Sequence, residues 1–282
     1  MALTLNTNTA VLRAIHNLNN TQNSLTNSLE RISSGLRVNR AADDAAGMSV
    51  ANRMNSDNTS LAQAMRNTND GISMIQTAEG GLNELNNILV RMRELSVQAS
   101  NETYNSTDRS MIATEMTQLK SEYARIVTTA NFNRTQLLNS SDTQFNIQVG
   151  IQNTSNDRIS INLSSLASGA TSVGLKTLFN SSIASSGGLS SAQTNITNID
   201  AALNGISTRR SRLGALQNRL ENALSEASNY SQNLSASQSQ ILDVDYASES
   251  ANMTRYQIQQ QAGVAALAQA KAIPQSVISL LS

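Results

Sequence analysis

Asp43-Asp44 is the first pair of neighbouring carboxylates that could share acid and base work. Such chemistry needs a nucleophile or a pocket signature close by. Ala41, Ala42, Ala45 and Ala46 flank the pair instead. The plainer reading is a set of contacts near a helix junction, with Arg37, Arg40 or Arg53 as counter-charges. Asp243 and Asp245 invite a calcium reading, but the Gly and the closing Glu of a binding loop are missing. His16 is the only histidine and stands between Ile15 and Leu18 on an amphipathic stretch. One imidazole builds neither a multi-histidine metal site nor an HExxH protease. A structural or exposed role is expected for it. With no Cys, disulfides, thiolate metal sites and Cys nucleophiles are excluded. Arg209, Arg210 and Arg212 form the densest basic cluster. Yet 20 Lys+Arg balance 20 Asp+Glu, and aromatic residues make up only 3%. A solvated or inter-subunit face is a better reading of that cluster than a nucleic-acid site. Asn-x-Ser/Thr triplets such as Asn101-Glu102-Thr103 and Asn180-Ser181-Ser182 arise by chance in so polar a chain. No catalytic, cofactor or metal site is expected, and the chain does not read as an enzyme.

What the sequence does carry is periodicity. The 282 residues include no Trp, 3 Phe and 1 Pro, and 39% are hydrophobic. A compact aromatic core is therefore out of reach, and Leu, Ile, Met and Ala must do the packing. Val11, Ile15, Leu18, Gln22, Leu25, Leu29, Ile32 and Leu36 follow in alternating steps of four and three, a coiled-coil seam. A second helix reads through Leu61, Met65, Ile72, Ile75, Leu82, Leu85, Leu89, Met92 and Leu95. Its Gly80-Gly81 pair either bends it or admits a close neighbour. A third starts with a cap near Thr107-Asp108 and runs through Ile112, Met116, Leu119, Tyr123, Ile126 and Ala130. A fourth passes from Ile196 through Ile199, Leu203, Ile206, Leu213, Leu216 and Leu220 to Ile241. The last holds Met253, Tyr256, Val264, Leu267, Ala270, Val277 and Leu281, with Pro274 expected to kink or end it. Between them, Phe145, Ile147, Val149 and Ile151 alternate with polar residues, and so do Ile159, Ile161 and Leu163 across the turn residues 153–157. That is a β-hairpin with one apolar face. The Ser/Gly/Ala-rich stretch 164–191 reads as a surface loop.

The start of the chain, broken by Asn and Thr throughout, is not a secretory signal. No apolar run approaches the ~18 residues that span a bilayer. Neither membrane insertion nor nucleic-acid binding is expected. If the chain leaves the cell, its uncleaved sequence must be what is read.

Several ordered motifs then point to a family. Ser33-Ser34-Gly35-Leu36-Arg37-Val38-Asn39 precedes Ala42-Asp43-Asp44-Ala45-Ala46-Gly47 and Ala51-Asn52-Arg53-Met54. Asn69-Asp70-Gly71-Ile72-Ser73, Gln76-Thr77-Ala78-Glu79-Gly80 and Arg91-Met92-Arg93-Glu94-Leu95-Ser96-Val97-Gln98-Ala99 follow. Near the other end stand Leu213-Gly214-Ala215-Leu216-Gln217-Asn218-Arg219-Leu220, Asp245-Tyr246-Ala247, Gln260-Gln261-Ala262-Gly263 and Pro274-Gln275. Over the first half and the last third, the chain resembles bacterial flagellin.

The resemblance implies a subunit that self-assembles into the flagellar filament. The alternative is a hook–filament junction protein or another secreted coiled-coil binding protein. The fold expected is mainly α, an elongated antiparallel helical bundle or coiled coil with a small β-hairpin insertion. Residues 1–44 and 242–282 would form the terminal coiled-coil unit at the filament core. Residues 45–141 and 188–241 would form a helical bundle, and 142–187 the hairpin and surface loop. The short central stretch implies that large outer domains are absent. Ile15, Leu18, Leu25, Leu29, Ile32, Val264, Leu267, Val277 and Leu281 are expected to pack the filament core. Partners implied are other copies of the chain, an export chaperone at the C-terminal segment, and filament cap and hook-junction proteins. Arg91, Leu95, Gln98 and Glu115 match a surface that lies between subunits and that a vertebrate innate receptor reads in many members. The competing reading there is that Leu95 fills the helix seam while the polar residues are solvated.

Overall fold

A computed structural model describes residues 9–138, 144–162 and 188–281. Its elements are α1 (Thr9–Ser34), α2 (Ala45–Ala99), α3 (Ser106–Thr129), β1 (Asn131–Phe132), β2 (Thr135–Gln136), β3 (Gln144–Gln148), β4 (Arg158–Asn162), α4 (Gly188–Leu242) and α5 (Tyr246–Leu281). The fold is mainly α, as the heptads require. Two compact units divide it: residues 1–58 with 232–282, and residues 59–231. The divisions fall inside α2 and α4, so each of those 55-residue helices belongs to both units.

The unit of residues 59–231 holds most of the buried apolar surface. Along α2 in this unit, with Met74 and Leu95 buried just beside them, the buried row is Leu61, Ala64, Thr68, Gly71, Ile75, Ala78, Leu82, Leu85, Leu89, Met92, Ser96 and Ala99. They alternate in steps of three and four, the period of a coiled-coil seam. Ile199, Ile206, Leu213 and Leu220 of α4 and Ile112, Met116 and Tyr123 of α3 join the same core. Each fully buried Leu or Ile contributes about 1.5–3 kcal/mol. Ion pairs fix the directions: Arg93–Asp200 (2.7 Å) and Arg210–Glu79 (3.4 Å) tie α2 to α4, and Arg91–Glu115 (2.8 Å) ties α2 to α3. Between α2 and α4 higher numbers on one helix face lower numbers on the other, and between α2 and α3 Arg91 meets Glu115 while Gly81 lies beside Ala130 at the far end of α3, so both pairings are antiparallel.

The hairpin β3–β4 pairs Phe145 with Ile161 and Ile147 with Ile159, and these four pack on the helical core. Its strands are shorter than the alternation suggested. Val149 and Ile151 lie past β3, in a loop where the Val149 and Gly150 amides both donate to the Asp157 carbonyl (2.9 and 3.1 Å). Leu163 lies outside the described residues.

Three other expectations need correction or narrowing. The cap of α3 is Asn105, not Thr107-Asp108. Its side chain accepts from the Asp108 amide (2.9 Å), and the Asp108 carboxylate accepts from the Asn105 amide (3.2 Å), a reciprocal capping box. Helix α4 begins at Gly188, before the end of the stretch read as loop, whose residues 164–187 lie outside the described ones. Of the two outcomes expected at Pro274, a kink or an end, the end is excluded, since helix α5 continues to Leu281. A prolyl residue costs an interior helix one hydrogen bond, roughly 3 kcal/mol, which a helix of 36 residues can absorb.

Candidate assembly surfaces

In the unit of residues 1–58 and 232–282, α1 and α5 lie against each other. Gly35, at φ 74°, ends α1 in the left-handed conformation that glycine tolerates, with its amide on the Arg31 carbonyl (2.9 Å). The chain then crosses to the segment between α4 and α5: Leu36 bridges Asp243, and the Val244 amide donates to the Gly35 carbonyl (3.0 Å). Arg37 donates from Nη2 to the Ile241 carbonyl (2.7 Å), a cation at the C-terminal end of α4 where the helix dipole favours one.

The acidic candidates are structural. Asp44 Oδ1 accepts the Gly47 amide (2.8 Å) and caps α2. Asp43 Oδ2 accepts the amides of Arg40 (3.0 Å) and Asn39 (3.2 Å), which hold its carboxyl below the usual range. Arg40 pairs with Glu30 (2.6 Å) rather than with either aspartate. Asp245 caps α5 through the Ala247 amide (3.0 Å). His16 is exposed, with Nδ1 3.3 Å from the Asn20 amide nitrogen. Among the described residues, no three His, Cys, Asp or Glu gather as metal ligands. None of their helices is long and apolar enough to cross a membrane.

The face that α1 turns to α5 runs Val11, Ala14, Leu18, Thr21, Leu25, Ser28 and Ile32, displaced by one position from the expected seam at several steps. Leu25 is buried, and Leu18 and Ile32 are half-buried. Ile15 and Leu29 face outward, with Leu29 47% exposed. On α5 the inner face holds Glu249, Tyr256, Gln260, Gly263, Leu267 and Ala270. Val264 points out and is 53% exposed. The side chains of Val277 and Leu281 lie outside the described residues. Polar pairs occupy much of this contact: Ser28 donates to the buried Glu249, and Gln260 to Gln22. At Gly263 an added Cβ would lie 3.2 Å from Leu18 Cδ1, so the helices approach closely there. In this unit the buried hydrophobic side chains, among the described residues, are Leu25, Val38, Ala51 and Leu234. Leu12, Ile15, Leu29, Ile258 and Val264 stay in solvent.

On the other unit, Arg91 contacts both Glu115 (2.8 Å) and Glu94 (3.0 Å), which raise its pKa, and Gln98 Nε2 lies 3.3 Å from Tyr104 Oη. These polar groups share one exposed patch. Leu95 does not: it is 2% exposed and fills the helix seam. The basic cluster also divides. Arg212 is exposed and Arg210 pairs with Glu79, but Arg209 is buried beside Tyr123, which corrects its reading as part of a solvated face. Its position in the α4 repeat, seven before Leu216 and three after Ile206, was the signal that marked it as inward. Burial pushes the Tyr123 phenol up to about 12 despite that neighbouring charge.

Long antiparallel helices and apolar side chains left outward on the terminal pair suit a structural subunit of an assembly. Comparison with known proteins says which assembly. Residues 5–143 match the bacterial flagellin N-terminal helical region and residues 196–281 the bacterial flagellin C-terminal helical region. A flagellin of Halalkalibacterium halodurans is 42% identical over 278 residues, covering 98% of this chain and 99% of that protein. A flagellin of Xenorhabdus nematophila is 39% identical over 314 aligned positions, with both chains fully covered. The fold is shared with a putative flagellar hook-associated protein from Vibrio parahaemolyticus, at TM-score 0.57 and 11% identity, over 71% of this chain and 100% of that one. The chain belongs to the bacterial flagellin family and is a structural subunit of the extracellular flagellar filament, not an enzyme.

Proposed function

We propose that the terminal helices are the device by which copies join, and that α1 and α5 complete their apolar faces only against neighbouring copies. The observation that carries this is the outward row of Leu12, Ile15, Leu29, Ile258 and Val264 on a unit that buries little of its own. Transferring such side chains from water into a shared core favours association by about 1.5–3 kcal/mol each when burial is complete. Leu18, Leu25, Ile32 and Leu267 then hold the pair together inside one copy. The test is seeded elongation of Leu29→Asp and Leu267→Asp variants, watched by electron microscopy. Both should fail to grow filaments while the thermal transition of residues 59–231 stays within about 2 °C of the parent. Filaments of parental length from both variants would overturn the reading.

The same outward face needs cover before assembly. An export chaperone of helical groove type fits the segment 243–282, which carries Ile258 and Val264. Deleting that segment should abolish chaperone binding; unchanged affinity would refute it. Export follows the uncleaved sequence, and cap and hook-junction proteins meet the subunits at the filament ends. A vertebrate innate receptor would read Arg91, Gln98 and Glu115 on the exposed patch, with Leu95 beneath shaping the helix. A reporter cell line that stays silent at high monomer concentration would reject that recognition.

A further inference from the structure

The turn between β1 and β2 consists of Asn133 at φ 48° and Arg134 at φ 65°. A two-residue turn with both φ values positive favours glycine at its second position, and a charged residue stands there instead. Arg134 is exposed at the tip and forms no ion pair among the described residues. Elsewhere in the same unit, a cavity of about 430 Å³ opens between the loop after β3 and helices α2 and α4. Leu61, Val149 and Ile151 supply apolar walls; Asp157, Glu226 and Tyr230 supply polar ones. No Lys or Arg lines it among the described residues. Asp157 Oδ2 accepts a hydrogen bond from Thr154 (2.7 Å), while Glu226 forms no ion pair among the described residues. The cavity thus offers carboxylates to a cation with an apolar stem, which is the chemistry of an arginine side chain.

The two features cannot meet within one copy. The chain beside the turn packs at Gly81 of α2, where an added Cβ would lie 2.9 Å from Leu138 and 3.5 Å from Ala130. The cavity lies at Leu61. Along a helix, the interval from 61 to 81 is about 30 Å. We propose that Arg134 of one copy docks in this cavity of a neighbouring copy, its guanidinium on Glu226 and Asp157 and its stem along Leu61 and Ile151. This rests on the filament reading. Two unlike surfaces that complement each other make a head-to-tail contact, which builds an open filament when the rotation between successive copies does not close into a ring. For copies lying parallel, the pairing imposes a stagger of about 30 Å.

The test exploits the absence of cysteine from the chain. Arg134→Cys and Glu226→Cys are made in separate chains, mixed, and grown from filament fragments under mild oxidation. Peptide mass spectrometry should find 134–226 linked pairs in the polymer and none in the unseeded mixture. In parallel, Arg134→Glu and Glu226→Arg should each slow seeded elongation about tenfold, and mixing neither but combining both in one chain should recover the rate to within about threefold. Circular dichroism must show parental helix content for each. Parental elongation by both single variants, a combined variant as slow as the two losses multiplied, or unlinked cysteines in grown polymer would each overturn this contact and leave the filament reading standing. Failure of the unaltered chain to elongate from its own fragments would overturn the filament reading, and this contact with it.

Discussion

Asp44, Asn105 and Asp245 each stand just before a helix and turn a side-chain oxygen onto an amide of its first turn. Replacing one by Ala should cost about 1 kcal/mol, within the roughly 0.5–2 typical of such caps, and Asp44→Ala can be checked by chemical denaturation. Asp44 was visible in the sequence as a junction residue and Asp245 only as a weak calcium candidate; which amide each holds depends on where the helix begins, and boundaries are set by caps rather than by periodicity. Buried Tyr123 gives a sharper expectation. Its phenol is pushed up to about 12 by desolvation, against an unfolded value near 10. The folded state therefore keeps a proton that the unfolded state releases between those values. Stability from this group is whole below pH 10 and is lost as pH rises toward 12, to the extent of about 3 kcal/mol. Tyr123→Phe should flatten the fall in thermal midpoint between pH 10 and 11.5; an unchanged slope would show that the phenol is not sequestered. Arg209, beside it, is a buried cation with no carboxylate paired to it among the described residues. Arg209→Met should hold or raise the midpoint of the unit by a few degrees, since unpaired buried charge is costly.

At the scale of elements, Gly80 and Gly81 are adjacent in α2 and opposite in environment. Nothing lies within 4 Å of a Cβ built at Gly80, whereas one at Gly81 meets Leu138 at 2.9 Å. Gly80→Ala should gain about 0.8–1 kcal/mol from helix propensity, raising the midpoint by about 2–4 °C. Gly81→Ala loses that gain to the crowded contact and should lower the midpoint. Of the two roles the sequence left open for the pair, Gly81 fills that of admitting a close neighbour. The long helices could be read from their repeat because a heptad seam recurs many times and each recurrence confirms the last. The small ribbon β1–β2 could not. It has two residues on each side, and its turn lacks the Asn-Gly signature because Arg134 replaces the glycine. The inner face of α1 was misplaced at Ile15 and Leu29 for a different reason. Leu and Ile occupy two neighbouring stripes of that helix, and only the partner decides which turns inward, as with Ser28 against Glu249 and Leu18 against Gly263.

For the whole molecule, the two units should part in stability. Residues 59–231 bury a continuous heptad core, while the unit of both chain ends buries few apolar side chains and relies on polar pairs such as Ser28–Glu249. An isolated helix pair of that kind is marginal in water. Limited proteolysis of the free subunit should trim both ends first and leave fragments bounded near residues 45–59 and 231–242. Ends that resist protease as long as the middle does would contradict this. Function at this scale was readable because family motifs stand at both ends of the chain. The docking geometry was not, since it depends on which surfaces face solvent after folding.

The Ser28–Glu249 contact also has a consequence in time. Its partners are separated by 221 residues. Closing so long a loop in an unfolded chain costs roughly 5 kcal/mol of entropy, more than one hydrogen bond returns. Nucleation therefore cannot begin there. The local turns of α2, α3 and α4 form early, their mutual packing shortens the route between the ends, and α1 zips onto α5 last. A chain that folds in this sequence holds its joining surface open until the rest is finished, so a newly arrived subunit meets its neighbours while its own ends are still choosing partners.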